Sequence, residues 1–279
     1  MAKPNIKMII TDLDGTLLSS KSKISQKNLE TLHKLKQKNI IIVIATGRSI
    51  FSLHKSIPDN FPVDYVIFSS GAGILNWRTN KIIHSNKLKE AQVEEIIELL
   101  LRENFDFMIQ FPIPENHHFV YHLHNEDNHD FHRRCQLYDE YAMEISFDPK
   151  NFSEASQIIS ITKDHPPNYY FLKNKFNNYN VIRATSPLDN TSLWVEIFPP
   201  KVSKGDSTKW LSEKLGVSQA ETVGIGNDFN DVDFLNWTKY SYVVENAHKD
   251  LHVNFNLVSS NDCDGFTEAV EEVLGDKNR

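Results

Sequence analysis

Asp12 and Asp14 stand two residues apart in Thr11-Asp12-Leu13-Asp14-Gly15-Thr16-Leu17, directly after the apolar run Ile6-Lys7-Met8-Ile9-Ile10. Such a run reads as a buried strand, and Gly15-Thr16 as the turn that ends it. The two carboxylates then lie at a strand's C-terminal edge, where open α/β sheets bind ligands. Burying one carboxylate beside another is costly unless a cation or a proton shares the site, so the pair asks for Mg²⁺ or a proton. With a metal holding the site together, Asp12 could attack phosphorus while Asp14 handles a proton. The other reading of the same residues is an Asp-Gly turn with a solvated neighbour.

Three further segments stand at the ends of expected elements. The β-branched run Ile40-Ile41-Ile42-Val43-Ile44-Ala45 ends in Thr46-Gly47-Arg48. There the Thr46 hydroxyl could donate to a phosphate oxygen and Gly47 would let backbone N–H groups approach closely; Thr46 as a simple helix N-cap is the alternative. Val202-Ser203-Lys204-Gly205-Asp206 opens a helical pattern over 207–215 that carries Trp210, Leu211 and Leu215 on one stripe. A lysine is disfavoured near a helix N-terminus, and one reaching toward a transferring phosphoryl group explains the placement. Thr222-Val223-Gly224-Ile225-Gly226 leads into Asn227-Asp228-Phe229-Asn230-Asp231, a cluster of the hard oxygen donors that Mg²⁺ prefers.

In this order the four segments resemble the haloacid dehalogenase (HAD) superfamily, and within it the Cof-type phosphatases of subclass IIB. Smaller echoes agree: Ser70-Gly71-Ala72 where such proteins show Asn-Gly-Ala, Glu196-Ile197-Phe198-Pro199 ahead of the lysine segment, and Val244-Glu245-Asn246-Ala247. The resemblance implies that Asp12 is the nucleophile that forms an aspartyl-phosphate and also ligates Mg²⁺. It implies that Asp14 is the general acid and then the base, with its carbonyl on the metal. Thr46 and Lys204 would hold the phosphoryl oxygens, with Gly47, Arg48, Ser70, Gly71 and Asn230 as further substrate contacts. One departure stands out. Relatives carry Gly-Asp-x-x-Asn-Asp, whereas here an amide, Asn227, takes the first acid's position and an acid follows at Asp228. Either Asn227 ligates the ion directly, or Asp228 and Asp231 hold it, partly through water.

The elements that must position these residues divide by texture. Over 6–76 the order reads strand, helix, strand, helix, strand, with Ser25 capping a helix over 26–38; alternation of this kind implies a parallel sheet. It resumes after Val202 with a helix to Leu215, a strand to Gly226, a short helix through Leu235, strands at 242–244 and near 257–258, and a last helix over 267–274. The expected fold is α/β, with a Rossmann-like parallel-sheet core (1–82 and 200–279). Into it is inserted an α+β cap of C2 type (83–199), hinged near 76–83 and 199–202. Within the insert, helices are expected over 91–103 and around 153–159, and antiparallel strands over 119–123 and 193–197. The Phe105, Phe107 and Phe111 series alternates as core. Lys173, Lys175 and Arg183 read as solvated charge rather than anion contacts.

A chain of 279 residues suits two domains, and 40% hydrophobic with 24% charged residues is ordinary for a globular protein. The net charge of −7 argues against a nucleic-acid partner, and no apolar run approaches the roughly 18 residues of a membrane span. Cys135 and Cys263 lie far apart without metal spacing, which points to free thiols in a reducing, cytoplasmic compartment. No signal peptide is read at the N-terminus. His117, His118, His122, His124, His129 and His132 crowd one stretch of the insert and read as surface or hydrogen-bonding groups rather than metal ligands. The expected function is Mg²⁺-dependent hydrolysis of small phosphorylated metabolites, sugar phosphates foremost, by a monomer or homodimer. A sugar phosphomutase and a weakly catalytic phospho-ligand binder are the alternatives.

Overall fold

Met8–Thr11, four residues with no exposed surface, form the strand from which the sheet is built, β1. The computed structural model describes residues 4–145, 152–163, 166–189 and 191–275. From β1 the chain runs through α1 (Gln26–Gln37), β2 (Ile41–Ala45), α2 (Ile50–His54), β3 (Tyr65–Phe68), β4 (Gly73–Asn76) and β5 (Lys81–Ser85). There follow α3 (Glu90–Arg102), β6 (Phe107–Gln110), β7 (Phe119–His122), α4 (His129–Leu137), β8 (Ala142–Glu144), β9 (Gln157–Thr162), α5 (Pro166–Lys175), β10 (Asn180–Thr185) and β11 (Leu193–Phe198). The chain then continues through α6 (Lys204–Leu215), β12 (Thr222–Gly226), α7 (Val232–Trp237), β13 (Tyr240–Val244), α8 (Lys249–His252), β14 (Asn256–Val258) and α9 (Gly265–Leu274). These elements fall into two compact units, one of Met1–Arg48, Leu53–His84 and Ser203–Arg279, the other of Ser49–Ser52 and Ser85–Val202.

The first unit holds an eight-stranded sheet in the order β14-β13-β12-β1-β2-β3-β4-β5. Pairing is parallel from β14 across to β3. Crossovers cover both faces of such strands, which explains their unbroken apolar runs. Ser25 caps α1 by accepting the Asn28 N–H, and Leu32 and Leu35 face the core, as their spacing predicts. The expectation of a purely parallel sheet fails at one edge, where β4 runs antiparallel to β3. Only a single 3₁₀ turn, Ser69–Gly71, and Ala72 separate these strands, too little chain for a parallel crossover.

The second unit holds a six-stranded sheet in the order β10-β11-β9-β6-β7-β8, antiparallel except between β7 and β8. Strand alternation feeds two cores. Phe107, Ile109, Ile158, Val195 and Ile197 join α3 and α5 residues such as Ile96, Leu100 and Leu172 on one face. Met108, Phe119, Ile159, Ile161 and Trp194 meet Phe131 of α4 on the other. Phe105 and Phe111 pack on the first of these cores, which bears out the core reading of that series. The helix expected around 153–159 is not formed: Ala155 bridges to Leu88, and β9 begins at Gln157. Its β-branched run Ile158-Ile159-Ser160-Ile161-Thr162 outweighs the helix-start appearance of Ser153-Glu154, because both of its faces are needed in a central strand. Helices α4 and α5 carry no apolar stripe regular enough to be read in advance. Both cysteines are free thiols, and among the described residues no helix is long and apolar enough to cross a membrane.

Asp130 in α4 is buried and accepts hydrogen bonds from the Trp194 indole Nε1 (2.7 Å) and the Ser186 hydroxyl (3.0 Å). Truncating it strands two buried donors. Asp130→Ala is therefore expected to lower stability by about 2–3 kcal/mol, read as a shift of the urea midpoint at unchanged slope. An unmoved midpoint would show that the network contributes nothing.

Candidate active site

Three neighbouring parallel strands, β12, β1 and β2, end on the same side, and their C-terminal ends deliver most of the residues named from the sequence. Asp12 follows β1, where its N–H reaches Ile225 O at 2.9 Å and its side chain is almost wholly buried. Thr46 follows β2 and is buried, with its N–H on Ile67 O and its Oγ accepting the Arg48 N–H at 3.2 Å. Ser203 caps α6 by accepting the Asp206 N–H, and this cap turns Lys204 inward to 1% exposure.

The Lys204 ammonium is the hub. Its Nζ donates to Asp12 Oδ1 at 2.8 Å, to Asp231 Oδ1 at 2.6 Å and to Asn230 Oδ1 at 3.2 Å. The second oxygen of Asp231 accepts the backbone N–H groups of Asn227 (2.8 Å) and Asp228 (3.0 Å), so one buried carboxylate both holds the lysine and shapes the turn after β12. Burial pushes the Asp12 carboxyl up to about 8, and the charges of Asp231 and Asp14 add to the rise against the pull of Lys204. For Lys204 burial works in the opposite sense, but Asp12 and Asp231 outweigh it and hold the ammonium above the usual lysine range.

Arg48 was expected to contact substrate, but its guanidinium forks onto Asp14. Nε donates to Oδ2 at 2.7 Å and Nη2 to Oδ1 at 2.8 Å, while Nη1 reaches the Ser56 hydroxyl. A bidentate fork fixes both oxygens of the acid in one plane. Asn227 is also engaged: its Oδ1 accepts the Thr16 hydroxyl at 3.0 Å, which ties the turn after β12 to the turn after β1. Asp228, half-buried, stands at the start of the following 3₁₀ turn. Sequence reasoning missed the clasp that completes this loop. Asn246 donates to Gly15 O at 2.8 Å and accepts the Asn261 N–H at 2.8 Å, while Asn261 donates to Leu18 O at 2.9 Å. The only advance signal was the Val244–Ala247 echo, which carried no role.

Ser70 and Gly71 serve the scaffold at this site. Ser69 (φ +48°) and Ser70 (φ +50°) take left-handed conformations before Gly71 at φ +106°. Ser70 is buried, with its N–H on Thr46 O. A Cβ on Gly71 would stand 2.2 Å from Ser203 O, so only glycine admits the start of α6 at this distance. Gly47 has looser surroundings, its nearest neighbour being the Ser70 hydroxyl at 3.6 Å from a notional Cβ. All twelve residues expected at the site thus lie in the first unit.

The sequence profile of the haloacid dehalogenase-like hydrolases matches residues 9–270. This chain belongs to that family. As a member of the haloacid dehalogenase-like hydrolases it is 25% identical over 284 residues to YxeH of Bacillus subtilis (strain 168), covering 96% of this chain and 98% of that protein. The structure of BT1666 from Bacteroides thetaiotaomicron, described among phosphatases of the superfamily, superposes with a TM-score of 0.80 at 20% identity, covering 96% of this chain and 95% of its own. The subclass IIB sugar phosphatase BT4131 superposes at 0.76 with 17% identity, covering 95% and 98%. The α/β fold and the Cof-type hydrolase membership expected from the motifs are borne out.

The donor set fits a hard divalent cation. Three carboxylates (Asp12, Asp14 and Asp231) gather with two cations, Lys204 and Arg48, and Asp228 adds a fourth acid in the turn after β12. Burial first, and the neighbouring Asp231 and Asp14 charges after it, raise the Asp12 carboxyl, a cost that a bound cation would relieve. Oxygen donors of this kind suit Mg²⁺ and its relatives rather than softer ions. The glycine at 71 has its own consequence: Gly71→Ala combines a left-handed φ with a backbone clash. It is expected to cost at least ~3 kcal/mol in chemical denaturation, against about 1 kcal/mol for Gly216→Ala, where a Cβ meets nothing and only the φ penalty remains. Equal losses at the two positions would refute the close-approach reading.

Proposed function

We propose that this hydrolase is a Mg²⁺-dependent phosphatase of small phosphorylated metabolites, sugar phosphates foremost, and that it carries the phosphoryl group on Asp12. The observation that carries the reading is a buried carboxylate held by a buried ammonium (Asp12 Oδ1 to Lys204 Nζ, 2.8 Å), two residues from a second carboxylate locked by an arginine fork. Membership of the hydrolase family supports it, and the sugar phosphatase BT4131, alike in fold, favours sugar phosphates.

In the first step an Asp12 oxygen attacks phosphorus as the P–O bond to the leaving group breaks, and Asp14 gives that oxygen its proton. In the second, Asp14, now ionised, takes a proton from water; the water oxygen attacks phosphorus, the Asp12–phosphorus bond breaks, and inorganic phosphate leaves. Arg48 orients Asp14 in its ionised form, as it takes the proton from water; in the first step one Asp14 oxygen leaves the fork to carry the proton. The Lys204 ammonium and the Thr46 hydroxyl neutralise and hold the phosphoryl oxygens, since phosphoryl transfer needs positioning and charge more than further covalent chemistry. Asp12, the Asp14 carbonyl and the acids Asp228 and Asp231 would hold Mg²⁺, which when bound supplies the charge that keeps Asp12 ionised and offsets the phosphoryl oxygens. Asn227, already accepting from Thr16, acts in this reading chiefly as a brace between the two turns. Residues 83–199 act as the substrate-selecting cap, and the two free thiols fit a cytoplasmic setting.

Phosphate release from a panel of sugar phosphates and an aryl phosphate tests the reading. Turnover should require Mg²⁺ and fall at least ~10³-fold in Asp12→Asn. Asp14→Asn should still release one equivalent of a good phenolate from an aryl phosphate, because that leaving group needs no proton, and then stall. Folded wild-type protein that releases no phosphate at saturating Mg²⁺ would sink the proposal and favour a phospho-ligand binder. A companion measurement probes the amide at 227: Asn227→Asp adds a charge beside the proposed ion, so the Mg²⁺ half-saturation should fall by about tenfold, or ~1.4 kcal/mol. An unchanged or higher half-saturation would mean that position 227 does not sense the ion.

A further inference from the structure

The loop joining β6 to β7 gathers Glu115, His117 and His118, whose ligand atoms all lie within 4.8 Å of one another. Both imidazole Nε2 atoms approach the same carboxylate oxygen: Glu115 Oε2 stands 3.8 Å from His117 Nε2 and 3.7 Å from His118 Nε2. These separations are too long for hydrogen bonds, which run about 2.7–3.2 Å. They lie within a few tenths of an ångström of the roughly 3.3–3.4 Å between donor atoms around a tetrahedral ion with bonds near 2.0–2.1 Å.

The geometry points to a site for a divalent transition-metal ion of the Zn²⁺ class at Glu115, His117 and His118. The loop is held by its own backbone: Phe111 N–H donates to His118 O at 3.0 Å, His118 N–H to Glu115 O at 2.9 Å, and Glu115 N–H to Pro112 O at 3.0 Å. The rings are held by aromatic neighbours. Phe51 stacks on His117 with centroids 4.5 Å apart and planes 10° from parallel. Tyr141 sets its edge against both histidines at 4.9 Å. The two rings have little freedom left to lose on binding, and restricting such freedom beforehand is what preorganisation contributes. Exposure rises across the set, from 13% for the His117 side chain through 33% for His118 to 62% for Glu115, so an ion enters from the Glu115 side. Two imidazoles and one carboxylate suit Zn²⁺, Co²⁺ or Ni²⁺, whereas Mg²⁺ takes oxygen donors. Three protein ligands leave the fourth position to water or to an anion.

The test titrates Zn²⁺ into the full-length protein against a chromophoric chelator, with Mg²⁺ saturating so that the oxygen cluster around Asp12 is filled. One equivalent of Zn²⁺ should bind, and Co²⁺ in its place should give tetrahedral d–d absorption bands. Glu115→Gln and His118→Gln each change a partly exposed side chain, so folding should survive, as the melting temperature will show. Each should weaken Zn²⁺ binding at least ~tenfold. His124→Gln, exposed and outside the set, should leave binding unaltered, and Asp12→Asn should retain the equivalent. The inference is overturned if wild type takes up no Zn²⁺ under these conditions, or if the Glu115 and His118 variants bind it as wild type does.

Discussion

One buried ammonium ties together the turns of the first unit that gather the candidate site. Lys204 joins residues 192 positions apart in the chain, Asp12 at the end of β1 and its own place at the head of α6, and reaches Asp231 in the turn after β12. Taking such charges out of water is expensive, and their mutual attraction repays it only where every polar atom is placed. That condition dictates much of what surrounds them. Asp231 spends its second oxygen on two backbone N–H groups, Ser203 caps the helix that aims the lysine, and Gly71 lets that helix begin within reach.

The triad is also unbalanced, and the imbalance is useful. Two carboxylates face one ammonium, with Asp14 close enough to add to the pressure on Asp12. A carboxylate disfavoured as a buried anion is relieved by binding a cation or, in the proposed reaction, by forming a bond to phosphorus. The same electrostatics would favour a cation beside Asp12. Asp14 is treated differently, being less buried and held by a permanent cation in a planar fork. Two acids separated by one residue are in this way given distinct surroundings, which is the physical basis for assigning them distinct tasks.

The sequence already showed much of this site, because each element carried a residue type at odds with a bland reading: a lysine at a helix start, two acids at a strand end, a polar cluster after a Val-Gly-Ile-Gly strand. Pairings between side chains were not legible. Nothing in the order of residues says that Arg48 turns to Asp14, or that Thr16 and Asn227 meet, since those contacts arise only when β1, β2 and β12 lie side by side. The parallel strands were legible from their β-branched runs, whereas the antiparallel edge was hidden in a three-residue turn with two left-handed serines. Within the insert, β9 was misread because Ser153-Glu154-Ala155 resembles a helix start. Its true character lay in the sheet, where β11 and β6 pair with both of its edges and the two cores bury both of its faces.

Asn227 shows how a departure from the family pattern can be absorbed. A carboxylate at that position would add a further negative charge near Asp12, on which Asp231 and Asp14 already press. The amide removes that charge and keeps an oxygen that accepts from Thr16, which the turn after β1 needs in order to hold its shape. Gly15, at φ +75°, presses close on the same amide: a Cβ there would meet its Nδ2 at 2.7 Å. The two turns have therefore adjusted to each other. Asp228, one position on, keeps an acid in the same turn, with its N–H fixed by Asp231. What the substitution alters is the strength of the field around an ion rather than the scaffold that would hold it.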